Sequence, residues 1–134
     1  MKKKKVLFVC TFNSVRSQMA EGLLTKMKGD AYHAYSAGVE ASGVNPYAIA
    51  VMAEMGINIT HHHSKTIEEV QEKEFDFVVT VCDNAKETAI NIPGKKIIHK
   101  NFENPGTGLI SPADTLKSFR KVRNEIQEWL EKTF

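Results

Sequence analysis

Val6-Leu7-Phe8-Val9-Cys10-Thr11-Phe12-Asn13-Ser14-Val15-Arg16-Ser17 is the stretch that decides the fold. Its four leading apolar residues are a buried-strand signal, and from Ser14 onward Met19, Leu23 and Met27, with Ala20 and Leu24, recur at helical spacing. A strand therefore ends in a cysteine, and a short turn leads into a helix whose first turn holds an arginine. Consecutive backbone N–H groups in such a turn form an anion-binding nest, and the helix dipole adds partial positive charge at the same point. Thr11, Phe12, Asn13, Ser14, Val15 and Arg16 are the expected oxyanion-binding residues. The planar fork of Arg16 suits two oxygens of a tetrahedral anion at once. Thiolate rather than thiol is the nucleophile, and a helix N-terminus beside a cation favours it. Cys10, Arg16 and Ser17 are accordingly the candidate catalytic residues, with Asn13 and Ser17 suited to holding the turn or donating to the sulfur. The competing reading is a buried cysteine closing a core strand. Placement at a strand-to-helix junction favours chemistry, because open α/β sheets bind ligands at the carboxyl ends of their strands. The pattern implies thiolate chemistry on phosphate or arsenate.

Outward from this stretch, elements alternate. Ala31 to Ser36 reads as a second strand ended by Ala37-Gly38. Asn45-Pro46 gives a cap with proline at the first helical position, Ile49, Met52 and Ala53 share a face, and Gly56 marks the stop. Thr66 to Gln71 is compatible with a short helix, Phe75 to Val81 is the most β-branched run, and Ala85 to Ile90 is ambiguous. Lys96 to His99 reads as a short fourth strand. Ser111-Pro112 opens a last helix with Leu116, Phe119, Val122, Ile126, Trp129 and Leu130 on its inner face, Trp129 being expected as a core anchor. Strands alternating with helices argue for a parallel sheet covered on both faces. No Gly-x-Gly-x-x-Gly or Walker lysine loop is present.

Composition sets the frame. At 134 residues and 42% hydrophobic, the chain is the size of one domain, residues 1–134, with a real core. A net charge of +2 makes no case for nucleic acid, and Lys2 to Lys5 are expected to be a solvated lead into the first strand. No run approaches the ~18 apolar residues of a membrane span, and Val6 to Val9 is too short for a signal peptide, so a cytoplasmic monomer without membrane partners is expected. The two cysteines, Cys10 and Cys82, form no CxxC pattern and are expected to be reduced thiols. His61-His62-His63 cannot all converge on one ion in regular structure. A solvated loop after Ile59 is expected there, and no metal.

The chain resembles the low-molecular-weight tyrosine phosphatase superfamily, and within it the thioredoxin-coupled arsenate reductases, over essentially its whole length. Beyond Cys10 to Ser17, the matching segments are Ser17-Gln18-Met19-Ala20-Glu21-Gly22, Ser36-Ala37-Gly38-Val39-Glu40, Asn45-Pro46, Gly56-Ile57-Asn58-Ile59, Val78-Val79-Thr80-Val81-Cys82-Asp83-Asn84-Ala85 and Phe119-Arg120-Lys121-Val122-Arg123. The resemblance implies an α/β three-layer sandwich, a four-stranded parallel sheet with helices on both faces. It also implies arsenate reduction through a Cys10 thiol adduct, with Cys82 as second thiol or, where a small external thiol attacks the adduct instead, as a small buried hydrophobe ending a central strand. No cofactor is implied, only an external reductant: thioredoxin, glutaredoxin or a small thiol. The Ser17-Gln18 pair leans toward the reductases, since the phosphatases usually carry Ser-Pro there.

Two departures from the family pattern bear on mechanism. A third cysteine is missing, with Ala89-Ile90 where Cys-Pro belongs. Asn104-Pro105 stands where the superfamily places Asp-Pro and uses the aspartate as general acid; an amide releases no proton, and Glu103 is the one adjacent substitute. Loss of that acid penalises ester cleavage more than thiol attack on arsenate, which exchanges oxygens readily and loses water. Arsenate reduction is therefore the leading expectation. A tyrosine phosphatase acting through a phospho-cysteine on a phosphoprotein is the alternative, and a non-catalytic oxyanion or phosphopeptide binder the third. In relatives, Asn13, Glu21 and Ser36, with an acidic residue at position 65, resemble an alkali-cation site. Lys65 is expected to fill that space here and to pair with Glu21.

Overall fold

A computed structural model describes residues 2–70, 73–85, 92–105 and 111–134. Strands β1 (Lys4–Cys10), β2 (Tyr32–Gly38), β3 (Phe75–Thr80) and β4 (Gly94–His99) form one sheet in the order β2-β1-β3-β4. All three pairings are parallel. Every strand thus points its carboxyl end to the same edge of the sheet, and Cys10 emerges there from an inner strand. Val6, Leu7, Phe8 and Val9 are completely buried, which accounts for an unbroken apolar run rather than an alternating one. Truncating one of them, Leu7→Ala for instance, costs about 2–5 kcal/mol by lost transfer energy and the cavity left behind.

Helices α1 (Arg16–Lys28), α2 (Pro46–Ala53) and α3 (Pro112–Thr133) pack on one another. Their starts are encoded locally. The Asn45 side chain accepts from the Tyr47 amide at 2.8 Å ahead of Pro46, and Ser111 Oγ accepts from the Asp114 amide at 3.1 Å ahead of Pro112. Phe119, Val122, Ile126 and Leu130 of α3 are buried at helical spacing. Arg123 and Arg120 both reach Glu54 just past α2, at 2.9 and 2.8 Å, and Arg123 also donates to the Val51 carbonyl at 2.7 Å.

Several expectations change. The second strand runs to Gly38 rather than Ser36, because the Gly38 amide pairs with the Lys65 carbonyl and Gly38 stays in register with Cys10. The helix expected over 66–71 is a single 3-10 turn, Ile67–Glu69, closed by a reciprocal Thr66–Glu69 capping box; Gln71 lies outside the described residues. The fourth strand starts two residues early and is largely exposed, with Lys95 and Lys96 on an edge strand where lysine discourages pairing with other chains. Trp129 is only half-buried and lines an open cavity with Phe102, its ring edge-on to the Phe102 ring at 6.0 Å. Residues 86–91, which include Ala89 and most of the ambiguous stretch, lie outside the described residues.

Candidate active site

The loop after β1 is held by its carbonyls. Those of Cys10, Thr11, Phe12 and Ser14 accept from the amides of Val39, Glu40, Ser42 and Asn45 respectively, and that of Asn13 accepts from Gln18 Nε2. Ser64 Oγ adds a second donor to the Phe12 carbonyl. Peptide units are planar and trans, so carbonyls turned out to their partners leave the following N–H groups facing the opposite way, and that of Asn13 reaches Cys10 Sγ. Asn13 takes a left-handed conformation (φ 49°), the bend that brings its own amide to 3.2 Å from Cys10 Sγ. Val15 carries no side-chain acceptor for the first amides of α1, which stay available to an anion. Gly38 is required beside this loop: a Cβ there would sit 2.6 Å from the Asn13 nitrogen and 2.4 Å from the Glu40 oxygen.

Side chains then aim donors at the sulfur. Ser17 Oγ lies 2.8 Å from Cys10 Sγ and receives a bond from Asn13 Nδ2 at 2.8 Å. The orientation of the Asn13 amide follows from its other end, where Oδ1 accepts from the Lys65 amide and from Gln18 Nε2, both at 2.9 Å. With one lone pair of Ser17 Oγ occupied by Asn13, the hydroxyl proton is free to turn to the sulfur, and a bond donated that way favours the thiolate. Arg16 donates to the Phe102 carbonyl at 3.0 Å, which fixes the guanidinium at the mouth of the loop. A cavity of about 270 Å³ opens over this point, lined by Cys10, Phe12, Ser14, Val15, Arg16, Ser42, Asn45 and Asn104. Phe12, 46% exposed, forms an apolar wall at its rim.

Cys82 follows β3 and is buried, with its sulfur 3.3 Å from the hydroxyl of Thr11, the residue after Cys10. Asn104 lines the Cys10 cavity, whereas Glu103, the adjacent candidate for a substitute acid, lines the separate cavity walled by Trp129 and Phe102. Neighbours in an extended segment face apart, so the geometry gives Glu103 no part at the sulfur.

Two further expectations are corrected. Glu21 does not pair with Lys65: it accepts from Ser36 Oγ at 2.6 Å and faces His62 Nε2 at 3.4 Å, while the Lys65 ammonium bonds the His63 carbonyl at 3.1 Å. Nor is the histidine run simply solvated. His62 packs inward, its Nδ1 2.9 Å from Gln18 Oε1. Gln18 Nε2 faces three acceptor oxygens, so Oε1 must turn to His62 and the proton must sit on Nδ1. Burial holds the His62 imidazole below its ordinary value, opposed by the Glu21 carboxylate and aided by His61, Lys65 and His63. His62 was missed in the sequence because its partners lie on α1, and no local pattern signals that contact. Among the described residues no three His, Cys, Asp or Glu side chains gather as metal ligands, and no helix is long and apolar enough to cross a membrane.

An arsenate reductase of Halalkalibacterium halodurans is 42% identical over 135 residues, spanning 100% of this chain and 96% of the relative. The solved structure of an arsenate reductase in the phosphate binding state superposes with a TM-score of 0.75 at 34% identity, covering 96% of this chain and 95% of that one. A low molecular weight protein tyrosine phosphatase from T. tengcongensis superposes with a TM-score of 0.80 at 29% identity, with 97% of each chain covered. The family model described as low molecular weight phosphotyrosine protein phosphatase matches residues 5–134, and the chain belongs to that family.

Proposed function

We propose that the protein is a thiol-dependent arsenate reductase of the reducing cytoplasm, and that Cys10 and Cys82 are its two redox sulfurs. The observation that carries this reading is the Thr11 hydroxyl 3.3 Å from Cys82 Sγ, one residue from Cys10: a second thiol borders the oxyanion loop. Arsenate enters the nest of amides with Arg16 across two of its oxygens. Cys10 thiolate attacks arsenic, water leaves, and an As(V) thiol adduct forms. Cys82 thiolate then attacks Cys10 Sγ; the S–S bond forms, the S–As bond breaks, and its electron pair remains on arsenic, which departs as As(III) arsenite. The two sulfurs lose the two electrons that arsenic gains. An external thiol, from a thioredoxin-like or glutaredoxin-like protein or a small thiol, opens the disulfide and restores both cysteines. The sequence contains two cysteines, so such a donor must reach this pair directly.

Phosphatase action through a phospho-cysteine is the weaker reading, because Asn104 at the cavity wall has no proton to give an alkoxide leaving group. The deciding experiment exposes the protein to arsenate and measures arsenite release and the Cys10–Cys82 disulfide by mass spectrometry. Arsenite at wild-type yield from Cys82→Ser removes Cys82 from the mechanism. Absence of arsenite with every thiol donor, alongside hydrolysis of aryl phosphates, replaces the reading altogether.

A further inference from the structure

Just beyond Cys82, three side chains join the two inner-to-edge strands. Thr80 Oγ1 lies 2.5 Å from His99 Nδ1, and His99 Nε2 lies 2.8 Å from Asp83 Oδ1. Asp83 is the residue after Cys82, and its amide bonds Asn101 Oδ1 at 3.2 Å. A carboxylate only accepts, so His99 Nε2 carries the proton toward Asp83, and in the neutral ring Nδ1 accepts from Thr80. The turn after Cys82 is thereby fastened at Asp83 to two residues of the His99–Phe102 segment. The same segment is zipped to β3 by the Lys100 amide on the Thr80 carbonyl and the Phe102 amide on the Val81 carbonyl, and its Phe102 carbonyl receives Arg16. Residues 99–102 thus brace the oxyanion arginine on one side and the Cys82 turn on the other.

We propose that His99 is a positioning residue for the second thiol: by holding Asp83 it keeps the Cys82 turn seated against Thr11, from which Cys82 reaches the Cys10 adduct. This rests on the reading of Cys82 as the attacking thiol. His99 makes no contact with either sulfur; it acts through Asp83. Nucleophilic displacement at sulfur needs a close, aligned approach, so release of the turn slows the disulfide step and leaves the steps at Cys10 intact.

The test uses the full chain and a single addition of arsenate, followed by acid quench and mass analysis of the Cys10–Cys82 disulfide. His99→Asn keeps a side-chain nitrogen near Nδ1 and loses the bond to Asp83. His99→Gln places one near Nε2 and retains it. Asp83→Ala removes the partner. We expect His99→Asn and Asp83→Ala to form the disulfide about tenfold to a hundredfold more slowly, and His99→Gln to stay near wild type. Phosphate affinity and Cys10 alkylation should not change in any of the three. Wild-type rates in all variants overturn the proposal. So does equal slowing in the Asn and Gln variants, or a parallel fall in phosphate affinity, either of which makes the cluster a support for the fold alone. Wild-type arsenite yield from Cys82→Ser overturns both the Cys82 reading and this proposal; arsenite loss in Cys82→Ser with wild-type rates in the other variants overturns this proposal alone.

Discussion

Ser17 Oγ approaches Cys10 Sγ to 2.8 Å while accepting from Asn13 Nδ2, which places the hydroxyl to donate to a Cys10 thiolate. A hydrogen bond to an ionised group is worth about 1.5–3 kcal/mol, or about tenfold to a hundredfold in rate. Ser17→Ala should slow iodoacetamide alkylation of Cys10 at neutral pH by that factor and slow arsenite formation with it. Alkylation at the wild-type rate would take the hydroxyl out of the nucleophile's support.

Arg16 lines the cavity over Cys10 while one of its nitrogens holds the Phe102 carbonyl at 3.0 Å, and the proposed function has it grip the anion as well. Lysine preserves the charge and loses both the bidentate geometry and the tether. Arg16→Lys should weaken phosphate binding, followed calorimetrically, by about tenfold or more, with the melting temperature little changed. Retained affinity would show that the backbone amides alone set anion binding.

Asn104 lines the cavity over Cys10 where a proton for a leaving group would be needed. Restoring an acid at that point creates the missing step rather than repairing a fold. Asn104→Asp should raise hydrolysis of phenyl phosphate by about a hundredfold or more, the usual contribution of a positioned general acid. An unchanged rate would mean that residue 104 does not face the ester oxygen.

The strand, turn and helix around Cys10 were legible because their signals are local: an apolar run, short polar residues, then helical periodicity. The Asn45-Pro46 and Ser111-Pro112 starts are equally local, each a cap residue followed by a proline that is compatible only with the first helical turn. The second layer around the sulfur was not legible. Asn13 is oriented by the nearby Gln18 but also by the Lys65 amide 52 residues away, and Gln18 by His62 44 residues away, long-range contacts that depend on how α1 meets the loop after Ile59. Charge complementarity pointed Lys65 at Glu21, yet the His63 carbonyl captures the ammonium and the Ser36 hydroxyl donates to the carboxylate. The Thr80–His99–Asp83 cluster escaped notice for the same reason, being assembled from two strand ends and a turn.

His62 adds a pH dependence of determinate sign. Burial lowers its proton affinity in the folded state, with Glu21 opposing. The folded protein therefore favours neutral imidazole, so this stability is complete above the unfolded value of about 6.5 and is lost as pH falls through the lower folded value. Urea unfolding free energy should decline from about pH 7 toward pH 5. His62→Asn keeps a donor for Gln18 and cannot take up a proton, and should flatten that decline. An equal slope in the variant would assign it to other groups.

Glu54 acts at lower pH. The hydrogen bond from Arg120, joined by Arg123, holds its carboxyl at about 2 against an ordinary 4.5. The folded state thus releases this proton more readily than the unfolded chain. The resulting stability is complete above about 4.5 and disappears as pH falls through about 2. Glu54→Gln should lower the melting temperature at neutral pH and make it less sensitive to acid over that interval, since the amide leaves Arg123, largely buried in α3, without a carboxylate. If the wild type and Glu54→Gln lost stability in parallel between those two pH values, the clamp between α2 and α3 would contribute nothing to acid resistance, and the slope would belong to other carboxylates.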